Sequence, residues 1–242
     1  MYAELVLVRH GESMGNLAAA AAIAAGAEVI ELGYREPYVP LSPVGVDQAR
    51  ALGRGLASLL SDGRPAAVWS SPYVRAAQTA QVSLAEAGSA LPVLLDERLR
   101  DRELGVLDLL TRVGVTNRFP LEAQRRQWWG KFYHRPPGGE SWADVALRVR
   151  SFLRDLPDAP GDPRAVLFVH DAVVMLLRYV CEGLDEHTLL QLQSSDPVRN
   201  ASITVLRRGA GGWQLARYND VAHLAAAGAP VTEHRGEPDA VH

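Results

Sequence analysis

The residues best suited to do chemistry in this sequence are two histidines and two arginines, each of which follows a short apolar stretch. Arg9 and His10 follow ELVLV and begin RHGES, His170 follows AVLFV, and Arg75 lies in SSPYVRAAQTA after AAVWS. A guanidinium group binds phosphate in a planar, bidentate way, and an imidazole can act as a nucleophile or as a cation. Together these four side chains describe a pocket for a dianion, for which phosphate is the obvious candidate.

The apolar stretches are predicted strands, and amphipathic segments between them are predicted helices. The strands are expected at 4–8, 66–70, 92–96 and 165–169, and the helices at 44–60, 74–87, 142–156 and 171–184. Apolar strands that alternate with amphipathic helices indicate an α/β fold, a single-domain three-layer sandwich with a mostly parallel central sheet flanked by helices. Ligands of such sheets bind outside the carboxyl ends of the strands. The four candidate side chains are therefore expected at one edge of the sheet.

Three further segments have a different character. SITVLRR (202–208) and WQLARY (213–218) flank a glycine-rich turn and are predicted to form a β-hairpin. Residues 105–139 are long for a connection and rich in aromatic residues, arginine and proline, which is typical of a lid or insertion. Residues 225–242 are polar and rich in Ala, Gly and Pro, which predicts a flexible C-terminal tail.

Composition excludes several classes of protein. The 242 residues are 48% hydrophobic and carry a formal net charge of −3, which suits one globular domain and argues against nucleic-acid binding. A single cysteine, Cys181, excludes an intrachain disulfide and a zinc site built on cysteines. Without a run of 18 apolar residues, no membrane span is expected, and the chain is predicted to be cytoplasmic.

The order and spacing of the motifs resemble those of the histidine phosphatase superfamily, also called the phosphoglycerate mutase-like family. RHGES with Asn16 is similar to that family's opening motif, and LSPVGVDQARALG (41–53) and SSPYVRAAQTA (70–80) are similar to two further motifs. LRDRELG (99–105), PPGGES (136–141), VHDAVV (169–174), PVRNASITVL (197–206) and YNDVAHL (218–224) also have counterparts. The resemblance identifies residues 1–224 as a histidine phosphatase domain.

The resemblance implies a mechanism without metal or other cofactor. His10 would be the nucleophile that accepts the phosphoryl group, and Arg9, Arg75 and His170 would hold the phosphoryl oxygens. A carboxylic acid would protonate the leaving alkoxide and then activate water.

The identity of that acid is open between two residues. Alignment on the family pattern places Asp101 where members usually have Glu, and Glu103 would face the same side of an extended segment. We favour Asp101 as the general acid and keep Glu103 as the alternative.

Three more polar residues near the histidines each have a structural and a functional interpretation. Asn16 and Ser13 would be phosphate ligands by their position in the family motif, or they would begin the alanine-rich helix that follows. Asp171 stands where members commonly have Gly, and we interpret it as a helix N-cap.

The resemblance implies a small phosphorylated molecule as the substrate, and a phosphoprotein also fits. The segment 125–135 would contact substrate as a lid, or would form an amphipathic helix with its aromatic side chains in the core.

PPGGES favours the phosphatase branch, with a cofactor-dependent phosphoglycerate mutase as the alternative. A catalytically silent phosphate-binding module is the alternative of another class. A homodimer is compatible with the resemblance.

Overall fold

The protein has a six-stranded sheet across the part of the chain that the computed structural model describes, residues 2–64, 66–157 and 161–234. The strands are β1 (Glu4–Arg9), β2 (Ala66–Ser70), β3 (Val93–Leu95), β4 (Arg164–Val169), β5 (Ile203–Gly209) and β6 (Gly212–Asp220). Their order in the sheet is β3-β2-β4-β1-β5-β6. The first four strands run parallel, and β5 and β6 form the predicted antiparallel hairpin.

Helices cover both faces of this sheet. They are α1 (Met14–Ala24), α2 (Pro43–Leu60), α3 (Val74–Glu86), α4 (Arg112–Arg118), α5 (Pro120–Tyr133), α6 (Trp142–Asp155), α7 (Asp171–Glu182), α8 (Glu186–Ser195) and α9 (Ala222–Ala226). Local sequence fixes several ends: Ser42 caps α2 just before Pro43, and Ser141 and Asp144 form a capping box on α6. Helix α7 ends at Gly183 because that residue adopts a φ of 69°.

Two apolar cores, one on each face of the sheet, explain the three layers. Alternate residues of β1 point to opposite faces, so that Leu5 and Leu7 join a core with α6 and α7, whereas Val6 and Val8 join a core with α2 and α3. Phe152 and Phe168 are fully buried on the two sides. The predicted α/β sandwich with a mostly parallel sheet is confirmed.

The pairing of β4 with its two neighbours creates the edge at which the candidate residues meet. Arg9 at the end of β1 pairs with Val169 at the end of β4. On the other side Ser71, which follows β2, donates its backbone N–H to the Phe168 carbonyl at 2.9 Å. The residues immediately after three parallel strands therefore lie side by side.

Residues 105–139, the predicted lid or insertion, contain a 3-10 turn (Gly105–Leu107) followed by α4 and α5. They are attached to the segment after α1, since Thr111 Oγ1 donates to the Ala27 carbonyl at 2.6 Å. Trp128 and Trp129 are 86% and 61% exposed, whereas Phe132 is buried. The interpretation of these aromatics as core residues is therefore wrong for both tryptophans, because α5 lies on the surface and, of its aromatic residues, buries Phe132 alone.

The C-terminal region folds back onto the sheet edge. Gln48 Nε2 donates to the Pro230 carbonyl at 2.9 Å and to Thr232 Oγ1 at 2.8 Å, and His234 Nε2 lies 3.0 Å from Glu12 Oε2. Residues 225–234, which the sequence predicts to be part of a flexible tail, thus have specific partners, while the rest of that predicted tail, 235–242, lies outside the described residues. None of the described helices is long and apolar enough to cross a membrane.

Candidate active site

His10 follows β1 directly and is held by its neighbours on both sides. Its backbone N–H donates to the Val169 carbonyl at 2.9 Å, and its carbonyl accepts from Asn200 Nδ2 at 3.2 Å. The Nδ1 atom lies 2.7 Å from the Gly11 carbonyl, which can only accept a hydrogen bond, so the ring proton resides on Nδ1. The Nε2 atom therefore carries the lone pair of the neutral ring.

The surroundings of His10 keep its ring neutral. The side chain is buried, and burial lowers the pKa of His10 well below its ordinary value, with Arg75, His170 and Arg9 acting in the same direction. A neutral imidazole with its lone pair on Nε2 is the form that acts as a nucleophile.

Arg75 connects His10 to two carboxylates. It lies in the first turn of α3, directly after β2, and is buried. Its Nε is 3.2 Å from His10 Nε2, and its Nη2 is 2.8 Å from Asp101 Oδ2 and 2.6 Å from Glu36 Oε1. The guanidinium group is thus fixed beside the imidazole lone pair.

His170 is the N-cap residue of α7 and is fully buried. Its ring centroid lies 5.1 Å from that of His10, and its Nε2 lies 2.9 Å from Ser71 Oγ. Its Nδ1 lies 3.2 Å from Asp101 Oδ2. Burial lowers the pKa of His170, although the Asp101 carboxylate opposes that shift.

The two candidate acids occupy different surroundings. Asp101 contacts both Arg75 and His170, and although burial opposes its ionisation, His170 and Arg75 hold the pKa of Asp101 well below its usual range. Glu103 instead accepts a hydrogen bond from the Tyr73 hydroxyl at 2.5 Å. The structure therefore brings Asp101 to Arg75 and His170 and places Glu103 beside Tyr73.

Arg9 approaches the same site with part of its guanidinium group in use. Nη1 donates to the Val198 carbonyl, and Nη2 lies 3.5 Å from the His234 carbonyl. The Nε atom is buried and finds no hydrogen-bond partner among the described residues. Buried donors are ordinarily paired, and an anion bound beside Arg9 would supply the missing acceptor.

Ser13 and Asn16 begin α1, as their structural interpretation predicts. Ser13 Oγ accepts from the Asn16 backbone N–H at 3.2 Å, and Asn16 Oδ1 accepts from the Ser13 backbone N–H at 3.0 Å. Asn200 Nδ2 lies 3.5 Å from the same Asn16 oxygen, which connects this cap to the His10 loop. A role as phosphate ligands stays a prediction for both.

Asp171 differs from its predicted place by one position. His170 is the N-cap of α7, and Asp171 is the first helical residue, whose Oδ1 accepts the Ala172 N–H at 2.7 Å. The carboxylate still satisfies a backbone donor at the helix N-terminus, where a negative charge is favourable. It also lies close enough to Arg9 and His170 to act on their charges.

Three residues that contact His10, Arg75 or His170 have no role in the prediction from the sequence. Glu36 lies in the irregular segment between α1 and α2, where no periodicity marks it. Ser71 and Asn200 belong to two of the family-like motifs, and Ser71 follows β2 whereas Asn200 precedes β5, the neighbour of β1. Their position at strand ends is the signal that could have identified them.

Known proteins resemble this chain along most of its length. The model of the histidine phosphatase superfamily (branch 1) matches residues 5–221. A 2,3-bisphosphoglycerate-dependent phosphoglycerate mutase from Methylobacterium radiotolerans is 34% identical over 210 residues, which cover 83% of this chain and 92% of that protein.

Solved structures show the same fold. A mycobacterial glucosyl-3-phosphoglycerate phosphatase is 27% identical, with a TM-score of 0.68 over 90% of this chain and 100% of its own. YhfR from Bacillus stearothermophilus, at 24% identity, shares the fold with a TM-score of 0.71 over 91% of this chain and 98% of its own. Because the family model spans the strands and loops that carry His10, Arg75 and His170, the chain belongs to the histidine phosphatase superfamily, branch 1.

Proposed function

We propose that the protein hydrolyses small phosphomonoesters through a phosphohistidine intermediate on His10. One observation carries the proposal, the set of contacts that joins His10, Arg75 and Asp101. The His10 ring donates its Nδ1–H to the Gly11 carbonyl and faces Arg75 with Nε2. The same guanidinium group forms an ion pair with Asp101. Nucleophile, cation and acid are thereby joined through one side chain. The membership of an enzymatic superfamily supports the same conclusion.

In the first step the His10 Nε2 lone pair attacks phosphorus, and the bond from phosphorus to the ester oxygen breaks. The departing alkoxide takes the proton of the Asp101 carboxyl group, which becomes a carboxylate. The phosphorylated ring is an imidazolium, and its Nδ1–H remains bonded to the Gly11 carbonyl. That hydrogen bond strengthens as the ring becomes charged.

In the second step water attacks phosphorus and gives a proton to the Asp101 carboxylate, while the bond from His10 to phosphorus breaks. Inorganic phosphate leaves, and His10 and Asp101 return to their starting protonation states. In both steps Arg9, Arg75 and His170 stabilise the negative charge of the equatorial oxygens.

Phosphate binding also explains how Asp101 acquires its proton. Although burial opposes the ionisation of Asp101, His170 and Arg75 hold its pKa low. A bound dianion would engage the same two side chains and place its own charge beside the carboxylate. Both changes raise the pKa of Asp101, so substrate binding itself favours the acid form.

A phosphoglycerate mutase is the second candidate, since the Methylobacterium radiotolerans relative carries that name. A mutase keeps the phosphoryl group on histidine and returns it to a bound product, so it requires priming by a bisphosphorylated compound and releases little free phosphate. The phosphatase among the similar solved structures favours hydrolysis instead.

The test is phosphate release from a panel of phosphomonoesters with EDTA present. We expect release from the wild type and its loss in His10→Ala, with activity kept in His187→Ala, a change of a histidine on α8, away from the site. Product isomerisation that depends on 2,3-bisphosphoglycerate, without phosphate release, would establish the mutase. Binding of a phosphate analogue without turnover would establish the silent binding module.

A further inference from the structure

Glu36 binds both terminal nitrogens of the Arg75 guanidinium group. It lies in a 3-10 turn (Glu36–Tyr38) of the segment between α1 and α2. Its Oε1 is 2.6 Å from Arg75 Nη2, and its backbone carbonyl accepts from Arg75 Nη1 at 3.1 Å. The guanidinium group therefore meets the phosphate pocket with Nε while its two terminal nitrogens are bound to Glu36.

Glu36 is part of a concentration of negative charge on that side of Arg75. Asp101 Oδ2 shares Nη2 with it at 2.8 Å, and Asp108 lies close enough to affect the charge of Glu36. Glu103, which accepts a hydrogen bond from the Tyr73 hydroxyl, is close enough to Asp108 to raise the pKa of that carboxyl group, in the same direction as the larger effect of burial. Glu36 and Asp101 thus both bind Arg75, and Asp108 adds a third negative charge near that arginine. Glu103 lies farther out, 3.9 Å from the Nε atom of Arg100.

This charge lies where the leaving group of a substrate must be. Asp101 protonates the leaving oxygen in the proposed reaction, so the alcohol projects from the phosphoryl group toward Asp101 and its neighbours. A second anionic group on that alcohol would be placed beside carboxylates, and juxtaposed like charges weaken binding. A hydroxyl group at the same place would instead donate hydrogen bonds to them.

Burial adjusts how strongly Glu36 acts near neutral pH. Burial raises the pKa of Glu36 to about 7, with Asp101 and Asp108 acting in the same direction and Arg75 against them. The carboxylate is ionised above that pH and neutral below it. The preference of the site for leaving alcohols without a second anionic group is therefore expected to grow as the pH rises from about 6 to about 8.

We infer that Glu36 is a specificity-determining residue that makes the site select phosphomonoesters whose leaving alcohol carries hydroxyl groups and no second anionic group. The inference rests on the proposed phosphatase function. It sets this chain apart from relatives whose names include phosphoglycerate.

Two probes that differ in one group test the inference directly. Glycerol 3-phosphate and 3-phosphoglycerate present the same leaving oxygen, and a terminal CH₂OH in the first replaces the carboxylate of the second. We expect the wild type at pH 8 to prefer glycerol 3-phosphate by at least about tenfold in kcat/KM, because the carboxylate adds like-charge repulsion.

Glu36→Gln separates the effect of the charge from that of the shape. We expect this variant to reduce the preference to about threefold or less, chiefly by lowering KM for the carboxylate-bearing probe, since the amide keeps a hydrogen bond without the charge. Glu31→Gln, the same change at an exposed position of the same segment, should keep the wild-type preference. A loss of rate that is equal for both probes would mean that Glu36 only positions Arg75 and would overturn the inference.

The inference and the proposed function fail in different ways. Equal use of the two probes by the wild type, or a preference for 3-phosphoglycerate, overturns the selectivity while hydrolysis stands. Absence of phosphate release from any phosphomonoester by folded wild-type protein contradicts the proposed function itself, and with it the selectivity.

Discussion

Arg75 Nε lies 3.2 Å from His10 Nε2, so the arginine points a donor at the lone pair of the imidazole. In the proposed reaction, a phosphoryl group takes over this donor, and the lone pair then faces phosphorus. We expect the guanidinium group to shield the neutral ring before the reaction and to neutralise the phosphoryl group during it. The buried position of both side chains strengthens this effect, because water does not screen the charge.

The choice between Asp101 and Glu103 has a direct kinetic consequence. Asp101→Asn should lower kcat about 100-fold or more for alkyl phosphates, and much less for 4-nitrophenyl phosphate, whose leaving group needs no proton. Glu103→Gln should change both rates less than about threefold, because Glu103 bonds Tyr73 and does not contact the histidines. Steady-state kinetics on the two substrates measures the difference. The reverse pattern would make Glu103 the acid.

The protonation state of His10 is accessible to NMR. Burial, together with Arg75, lowers the pKa of His10, so the ring should stay neutral, with its proton on Nδ1, at a pH where an ordinary histidine is already protonated. Selective ¹⁵N labelling of histidine would record both the tautomer and the titration. Arg75→Met should raise the midpoint, since one of the causes of the low pKa is removed. A wild-type midpoint at or above about 6.5, the value of an unperturbed histidine, would show that the ring is charged too readily for the proposed role.

Two glycines allow the loop after His10 to pack closely against α2. A Cβ atom on Gly45 would lie 2.0 Å from the Glu12 carbonyl oxygen, and one on Gly11 would lie 2.6 Å from the Gly45 carbonyl oxygen. Gly45→Ala should lower the free energy of unfolding by about 1–3 kcal/mol and also reduce activity, because the loop must move. Chemical denaturation measures the first effect.

Gly33→Ala is the matched control for that variant. Apart from its two chain neighbours, no described residue has an atom within 4 Å of the position of a Cβ atom on Gly33, so we expect a change of stability within about 0.5 kcal/mol and full activity. Equal stability of the two variants would contradict the close packing of the loop on α2.

A buried carboxylate far from the site contributes to stability in a pH-dependent way. Glu4 is buried and pairs with Arg164 at 2.6 Å and Arg207 at 2.8 Å. Although burial opposes ionisation, these arginines lower the pKa of Glu4. Its contribution is therefore full above the unfolded-state pKa and is lost as the pH falls through the lower folded-state value.

Glu4→Gln tests this pair. We expect the variant to lose about 2 kcal/mol of unfolding free energy at pH 7. The difference from wild type should shrink as the pH is lowered below about 4, whereas Glu31→Gln should leave the stability unchanged at both pH values. A difference that is independent of pH would show that the charge of Glu4 does not contribute.

Those parts of the site that strands hold in place could be predicted from the sequence. Arg9 ends β1, and His10 and His170 directly follow β1 and β4, two strands with apolar centres whose parallel pairing leaves little freedom in where their ends lie. Glu36 could not be predicted, because its segment has no periodicity and its contact with Arg75 depends on the tertiary fold. The exposure of Trp128 could not be predicted either, since aromatic residues on a helix ordinarily indicate a buried face.

The most direct test of the account is to trap the phosphorylated enzyme. The protein would be mixed with a ³²P-labelled phosphomonoester, stopped with denaturant at alkaline pH, and digested for mass spectrometry. We predict acid-labile, alkali-stable label on the peptide that contains His10, and none in His10→Ala, which should also release no phosphate. Label on another residue, or undiminished phosphate release by His10→Ala, would contradict the central claim that His10 is the nucleophile.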